Sequence, residues 1–383
     1  MITVLGEKQI KQILYGATLL GGGGGGPLET AVEILEKLVA ANKNVEVTML
    51  SLDDAAVDVN AYGAMIACLG SPEAMKKGTF GPDGVASFEA FKKALAPEGK
   101  EVKYLYSGEM GGFNTFAPML VAIYSNDDPA KRIKFLDVDA NGRAVPELNT
   151  SLNAARGFAP YPVGMGTLNV SKPGGPCNEI VAYGDSDSES ERIARGICGV
   201  FDNQIGFSTW ALCKSEFEAN SVVGCVTRAM KVGEALEKAA ADKASDPFTY
   251  LNGVTPCRRF GVGKILKKDT QIIAGFDCGT TTIEITDGEE TGVFTIDFQN
   301  ENLVMRRGDG SAIITVPEII SLICLDKNHY AHPLNNASTE VGMKVELILA
   351  PSDDKWWDAP HYANKCWLDC LKRVGYTGPQ VRY

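Results

Sequence analysis

The chain has 383 residues, 45% of them hydrophobic and 22% charged, with a net charge of −11 at pH 7. Such a composition belongs to a folded protein with material for two domains and excludes a disordered chain. The acidic excess argues against nucleic acid or an anionic membrane as a partner. The first residues, Met1 to Lys8, lack the basic and apolar regions of a signal peptide. No apolar run approaches the roughly 20 residues needed to cross a bilayer, so a cytoplasmic protein is expected. Ten cysteines are scattered without any Cys-x-x-Cys; those in apolar segments, Cys68, Cys198 and Cys324, are read as buried, reduced thiols.

In chain order, apolar residues at helical spacing predict a helix over Lys8–Leu20 and a second from Pro27 to Leu38, with proline at its first position. Between them lie six glycines, Gly21 to Gly26. So bare a backbone can press its N–H groups against a ligand, and the loop leads into a helix N-terminus, where anions are favoured. A flexible connector is the competing reading. Strands follow at Val45–Leu52 and Ala64–Leu69, the latter running into Gly70-Ser71-Pro72-Glu73, where Ser71 is either a plain helix cap or a ligand contact. A helix over Ser87–Leu95 leads to a strand at Val102–Tyr106, and Asn114–Tyr124 to another at Ile133–Val138. This alternation predicts an α/β domain with a mostly parallel sheet over residues 1–165.

In open α/β sheets ligands bind beyond the carboxyl ends of the strands, so the residues that follow each strand are the candidates for chemistry. After Tyr106 comes Ser107-Gly-Glu-Met-Gly-Gly-Phe-Asn114, in which Glu109 is ringed by glycines that let a substrate approach its carboxylate. After Ile133 the run ends in Asp137-Val-Asp-Ala-Asn-Gly-Arg143, followed by Ala-Val-Pro-Glu147-Leu148. Asp137 and Asp139 alternate along one strand face, an arrangement that suits a metal or a shared proton. A turn that caps the next helix, neutralised by Arg143, explains the same residues. The common placement of these groups with the glycine loop favours a site. Its candidate catalytic residues are Glu109, Asp139 and Arg143. Gly22, Gly23, Gly24, Gly25, Ser71, Gly111, Gly112, Asn114 and Glu147 are the candidates for substrate binding, and Asp137 with Asp139 for a divalent metal.

From about Val163 the texture changes. Ile180–Tyr183 is strand-like, Ser188–Val200 and Val222–Ala244 are helical, and Gly261–Leu325 is mostly short β segments with Asp-Gly turns. A β-rich C-terminal domain with some helices is expected over 166–383. The glycine run meets Gly-x-Gly-x-x-Gly trivially but follows a helix instead of a strand, and no Gly-Lys-Ser/Thr follows it, so no nucleotide is expected. His329, His332 and His361 lack zinc-protease spacing and are read as surface histidines. Arg306-Arg307-Gly308-Asp309-Gly310 reads as a hairpin turn, Cys366 and Cys370 as packing residues on one helical face in preference to a redox pair, and Cys177 as an incidental loop thiol, with a cysteine nucleophile as the alternative.

Leu20-Gly-Gly-Gly-Gly-Gly-Gly-Pro27, Gly108-Glu-Met-Gly-Gly-Phe-Asn114, Asp137 to Leu148 and Asp297-Phe-Gln-Asn-Glu-Asn-Leu303 together resemble the S-methyl-thiohydantoin desulfurase family over nearly the whole chain. Members often accompany hydantoinase or oxoprolinase proteins. They commonly carry an acid directly after the glycines, where this chain has Pro27-Leu28-Glu29. The resemblance implies an α/β N-terminal and a β-rich C-terminal domain, with hydrolytic removal of sulfur from a five-membered cyclic ureide. Such a reaction needs a base for water, with Glu109 or Asp139 available. It also needs a group for a ring carbonyl or attached carboxylate, with Arg143 available, and donors for developing negative charge, with the glycine amides available. The rival is a non-catalytic ligand-binding or regulatory subunit of a hydantoinase- or oxoprolinase-type system. The expected ligand is a small cyclic ureide, or for the rival a cyclic ureide or an amidohydrolase, and the expected assembly is a homo-oligomer.

Overall fold

The computed structural model describes residues 2–70, 80–168, 175–244, 246–273, 276–328, 330–358 and 362–383, the side chains of 362–365 excepted. Ser71, His329 and His361 therefore lie outside the described residues. The first half of the chain runs β1 (Ile2–Leu5), α1 (Glu7–Leu20), α2 (Leu28–Ala40), β2 (Val47–Leu50), β3 (Tyr62–Gly70), α3 (Pro82–Leu95), β4 (Val102–Ser107), α4 (Ala117–Ser125), β5 (Lys134–Asp139), α5 (Leu152–Ala155), β6 (Val163–Thr167), β7 (Asn178–Ala182), α6 (Asp187–Val200), β8 (Gln204–Leu212), α7 (Lys214–Asn220), β9 (Val222–Val223) and α8 (Cys225–Ala241). These strands form one mixed sheet in the order β1-β2-β5-β4-β3-β8-β6-β7, with β9 beside β5.

Only the middle of that sheet is parallel: β2 with β5, β5 with β4, and β4 with β3. Crossover helices α3 and α4 make the last two pairings possible, because parallel neighbours cannot be joined by a tight turn. Beyond β3 the sheet turns antiparallel through β8, β6 and β7. The expected mostly parallel sheet is thus a mixed one, and it continues past residue 165 to Val223. The change of texture near Val163 marks a switch to antiparallel pairing that covers the edge of β3, which would otherwise offer unpaired backbone groups. Both faces of the parallel centre are covered. Ile66, Leu105 and Phe135 face a core that includes Leu14, Leu35, Phe88 and Phe116 from the helices. Met65, Tyr106 and Leu136 face Ala194, Phe207, Trp210 and Phe217 on the other side. Burial on both sides explains why these strands read as continuous apolar runs.

The second sheet is antiparallel throughout. Its strands are β10 (Arg258–Ile273), β11 (Phe276–Gly288), β12 (Gly292–Gln299), β13 (Glu301–Arg307), β14 (Ala312–Thr315), β15 (Ile319–Cys324), β16 (His332–Leu334) and β17 (Lys344–Ala350), followed by helix α9 (Tyr362–Arg373). Their order is β14-β13-β12-β11-β10-β17-β15-β16. Far from being short segments, β10 and β11 span 16 and 13 residues. One face of the sheet buries its own core of Phe260, Ile283, Ile296, Met305 and Leu347, while Ile323 and Ile348 pack on Leu19, Val232 and Leu236 from α1 and α8. Helices α1 and α8 cross in backbone contact: a Cβ on Gly16 would lie 1.8 Å from the Ala229 carbonyl oxygen, and one on Gly233 1.8 Å from that of Gln12. This helix pair joins the two sheets and fixes the end of α1, where the glycine loop begins. His332, expected at the surface, is half-buried in β16, edge-on to Tyr15.

Candidate functional site

The glycine loop is clamped from both sheets by its carbonyls. Gly22 O accepts from Asn302 N at 2.9 Å, Gly23 O from Asn336 N at 2.8 Å, and Gly25 O from Phe113 N and Asn114 N at 3.1 and 3.0 Å. Gly26 O accepts from Asn335 Nδ2 at 3.4 Å. Asn302 and Asn336 are themselves joined side chain to side chain at 3.0 Å. With the carbonyls so occupied, the N–H groups of Gly23, Gly24 and Gly26 have no acceptor among the described residues, and all three residues line a cleft. Gly25 holds φ at +75°, and a Cβ there would lie 2.3 Å from Met110 O. A Cβ on Gly24 would lie 2.0 Å from Oε1 of Glu301. Glycine is required here by contact as well as by backbone angle.

The cleft, about 210 Å3 in volume, opens between the carboxyl ends of β3 and β4 and the second sheet. At the end of β4 stands Glu109, which lines it. Its Oε1 accepts from Asn114 Nδ2 at 2.6 Å and its Oε2 from Val145 N at 2.8 Å. Burial pushes the Glu109 carboxyl up to about 7, against the pull of these two bonds and of the Arg143 guanidinium. Across the cleft from the first sheet's contribution, Glu301 opens β13 and also lines the cavity, although only 2% of its surface is exposed. Burial first, and the neighbouring Glu109 second, hold its carboxyl well above the usual range. Its Oε2 is buried with no hydrogen-bond partner among the described residues.

Arg143 does not reach the cleft. It is fully buried and donates from Nη1 to the carbonyls of Pro317 and Glu318, each at 2.7 Å, and from Nε to Ala144 O at 2.9 Å. Its cation lies over the Trp367 ring at 5.1 Å. Burial lowers its guanidinium to about 10, so it stays charged at neutral pH and acts on Glu109 and Glu301 through its field. The expected grip of Arg143 on a ring carbonyl or carboxylate is therefore replaced by a structural role beneath the loop. Its backbone neighbour shares it: Ala144 N donates to Gly21 O at 3.4 Å.

The two aspartates part company. Asp137 accepts from Thr227 N at 2.9 Å and from the Thr227 hydroxyl at 2.5 Å, holding the first turn of α8. Asp139 accepts from Asn141 N and Gly142 N at 2.9 and 2.6 Å, which shapes the turn toward Arg143. Burial raises its carboxyl to about 7, but it is fully buried and absent from the cleft wall. With Asp137 spent on the helix start, the pair does not suit a divalent metal. Among the described residues no group of three or more His, Cys, Asp or Glu is arranged to hold one. The turn reading fits Asp139, whereas Asp137 caps a helix that begins far along the chain.

Of the proposed substrate contacts, Gly23, Gly24, Gly25, Asn114 and Glu147 line the cleft, whereas Gly22, Gly111 and Gly112 do not. Gly111 packs on the loop itself, where a Cβ would meet Gly25 Cα at 2.2 Å, and Gly112 packs on Leu28 at 2.6 Å. Glu147 is held by Arg373 at 2.5 Å and Gln299 at 3.0 Å. Near it Glu191 accepts from Arg195 at 2.6 Å and from Leu148 N at 2.9 Å. Met65, Leu69, Ala194, Phe207 and Trp210 form an apolar wall. Sequence reasoning missed Glu301, Asn302 and Asn336. The motif Asp297–Leu303 pointed to the first two, but only the second sheet's approach to the glycine loop gives them a role. No local signal marks Asn336.

Residues 8–169 match the S-Me-THD-like N-terminal domain and residues 185–362 the S-Me-THD-like C-terminal domain. No curated protein matches the chain. A crystal structure of a protein from Chromobacterium violaceum is similar over 99% of each chain, with a TM-score of 0.76 at 23% identity, a likeness of fold. No helix among the described residues is long and apolar enough to cross a membrane.

Proposed function

The chain belongs to the S-Me-THD-like family, and we propose that it hydrolyses the C2–S bond of an S-methyl-thiohydantoin or a related five-membered cyclic ureide. Glu109 carries this reading. Its carboxylate stands on the cleft wall, fixed through both oxygens, with its pKa lifted to about 7, where a general base is most effective at neutral pH. Water held by Glu109 attacks C2, and the carboxylate takes its proton. The N–H groups of Gly23, Gly24 and Gly26, without an acceptor among the described residues, supply donors for negative charge that develops on the ring, the kind of preorganised stabilisation that contributes most when water is excluded. The apolar wall of Met65, Leu69, Phe207 and Trp210 offers a surface for the ring substituent. We further propose a cytoplasmic homo-oligomer that takes a small-molecule substrate.

The test is to incubate purified protein with a panel of S-methyl-thiohydantoins and follow free thiol with a thiol-reactive dye. Release is expected from the wild type, with a fall of about 10²–10⁴-fold in Glu109→Gln, the usual worth of a general base. No release from any member of the panel, with ligand binding still detected by thermal shift, would instead support a binding subunit. An unchanged rate in the variant would remove Glu109 from the reaction.

A further inference from the structure

Glu109 and Glu301 reach this cleft from different sheets, and the hydrolysis proposed above uses only the first of them. We infer that Glu301 is a second catalytic residue, an acid that lends its proton to the ring nitrogen bonded to C2 while Glu109 activates water. This assignment rests on the proposed hydrolysis. Its geometric basis is the unmatched Oε2 of Glu301. The side chain is 2% exposed, Oε1 is pressed against Gly24, and Oε2 has no partner among the described residues. A buried polar atom left without a partner costs about 1–3 kcal/mol, and such atoms in native structures call for a functional reason. Here the residue lines the cleft, so a ligand can supply the missing partner.

The titratable and charged groups that face Glu301 are Glu109 from the end of β4, Arg143 from the turn after β5, the Cys278 thiol of β11 and the Cys370 thiol of α9, and the Gly25 amide donates to its carboxyl. Glu318 in turn faces Arg143. Two neighbouring carboxyls in a buried site cannot readily both ionise, so they divide the roles of acid and base. Burial and the Glu109 charge keep the proton on Glu301. The protons balance as follows. Glu109 takes one proton from the attacking water as the O–C2 bond forms, and Glu301 gives its own to the ring nitrogen. As the C2–S bond breaks, the new hydroxyl returns a proton to Glu301 and becomes the ring carbonyl. Glu109 passes its proton to the departing methanethiolate. Water and substrate become the hydantoin and methanethiol, and both carboxyls regain their starting states.

The experiment is the pH profile of kcat/KM for thiol release, with wild type and Glu301→Gln, on two substrates. One is a neutral S-methyl-thiohydantoin, the other its N1,N3-dimethyl cation, whose ring nitrogens need no proton. With the neutral substrate the wild type should rise through about pH 7 as Glu109 ionises and fall at alkaline pH as Glu301 loses its proton. With the cation the alkaline fall should vanish, a result that needs no variant and stands even if Glu301→Gln folds poorly. The variant should lose at least 100-fold on the neutral substrate and recover most of it on the cation. Equal rates for variant and wild type on the neutral substrate, or the same alkaline fall on both substrates, would overturn the role of Glu301 and leave the hydrolysis standing. A wild type that releases no thiol from either substrate would overturn both.

Discussion

Replacing Glu109 by Gln should stabilise the protein at pH 8 and leave it nearly unchanged at pH 4.5. The Glu109 carboxyl moves from an ordinary 4.5 to about 7 in the folded chain. Between those values the folded state holds a proton that the unfolded state has released, so stability falls as pH rises through the window. The loss is absent below 4.5 and complete above 7. At 1.36 kcal/mol for each pH unit the full effect is about 3 kcal/mol; Glu109 borders a cleft that admits water, which reduces this to about 2 kcal/mol. Gln carries no charge and escapes the penalty. It also removes the charge that raises Glu301, an effect of the same sign. At acid pH a protonated Glu and a Gln each offer one carbonyl oxygen to Val145 N or Asn114 Nδ2, so the two chains should melt together. The assay is the melting temperature of both proteins across pH 4.5–8. A rise of about 4 °C for the variant is expected at pH 8, taking about 2 °C for each kcal/mol in a chain of this size. A variant that melts below wild type at pH 8, or by the same margin at every pH, would refute the claim that burial lifts this carboxyl.

Gly24→Ala places a methyl group 2.0 Å from Glu301 Oε1 and 2.5 Å from its Cδ. Overpacking of this kind costs about 1–3 kcal/mol, and thiol release should fall at least tenfold because Glu301 must move; a variant with wild-type melting and turnover would show that the loop does not press on that carboxyl. Asp137→Ala removes both bonds to Thr227 and should lower stability by about 1 kcal/mol, the usual worth of a side chain that caps a helix start. Turnover should be preserved in that variant, and its loss would return Asp137 to the reacting groups.

The candidate site was legible where chemistry coincides with local pattern. Glu109 follows an apolar strand and is ringed by glycines, so its place at a carboxyl edge follows from strand, turn and ligand rules that operate over a dozen residues. The glycine run likewise announced a close approach. Its partner could not be read, because the atom that forbids a side chain at Gly24 belongs to Glu301, 277 positions later in the chain. Asp137, Asp139 and Arg143 misled for a related reason. A carboxylate that accepts backbone N–H groups and one that holds a substrate look alike in sequence, and only their partners separate them. Arg143 became structural because its guanidinium found the carbonyls of Pro317 and Glu318.

The sequence by itself determined the alternation of strands and helices, the two-sheet composition, the family and the glycine loop with Glu109, because each is written in periodicity, turn chemistry or motif within a short window. Tertiary structure decided the antiparallel half of the first sheet, the crossing of α1 on α8 through Gly16 and Gly233, and the meeting of Glu109 with Glu301. Those depend on contacts between segments distant in the chain, where burial and a neighbour's charge, and not the residue's own identity, set what a carboxyl group can do.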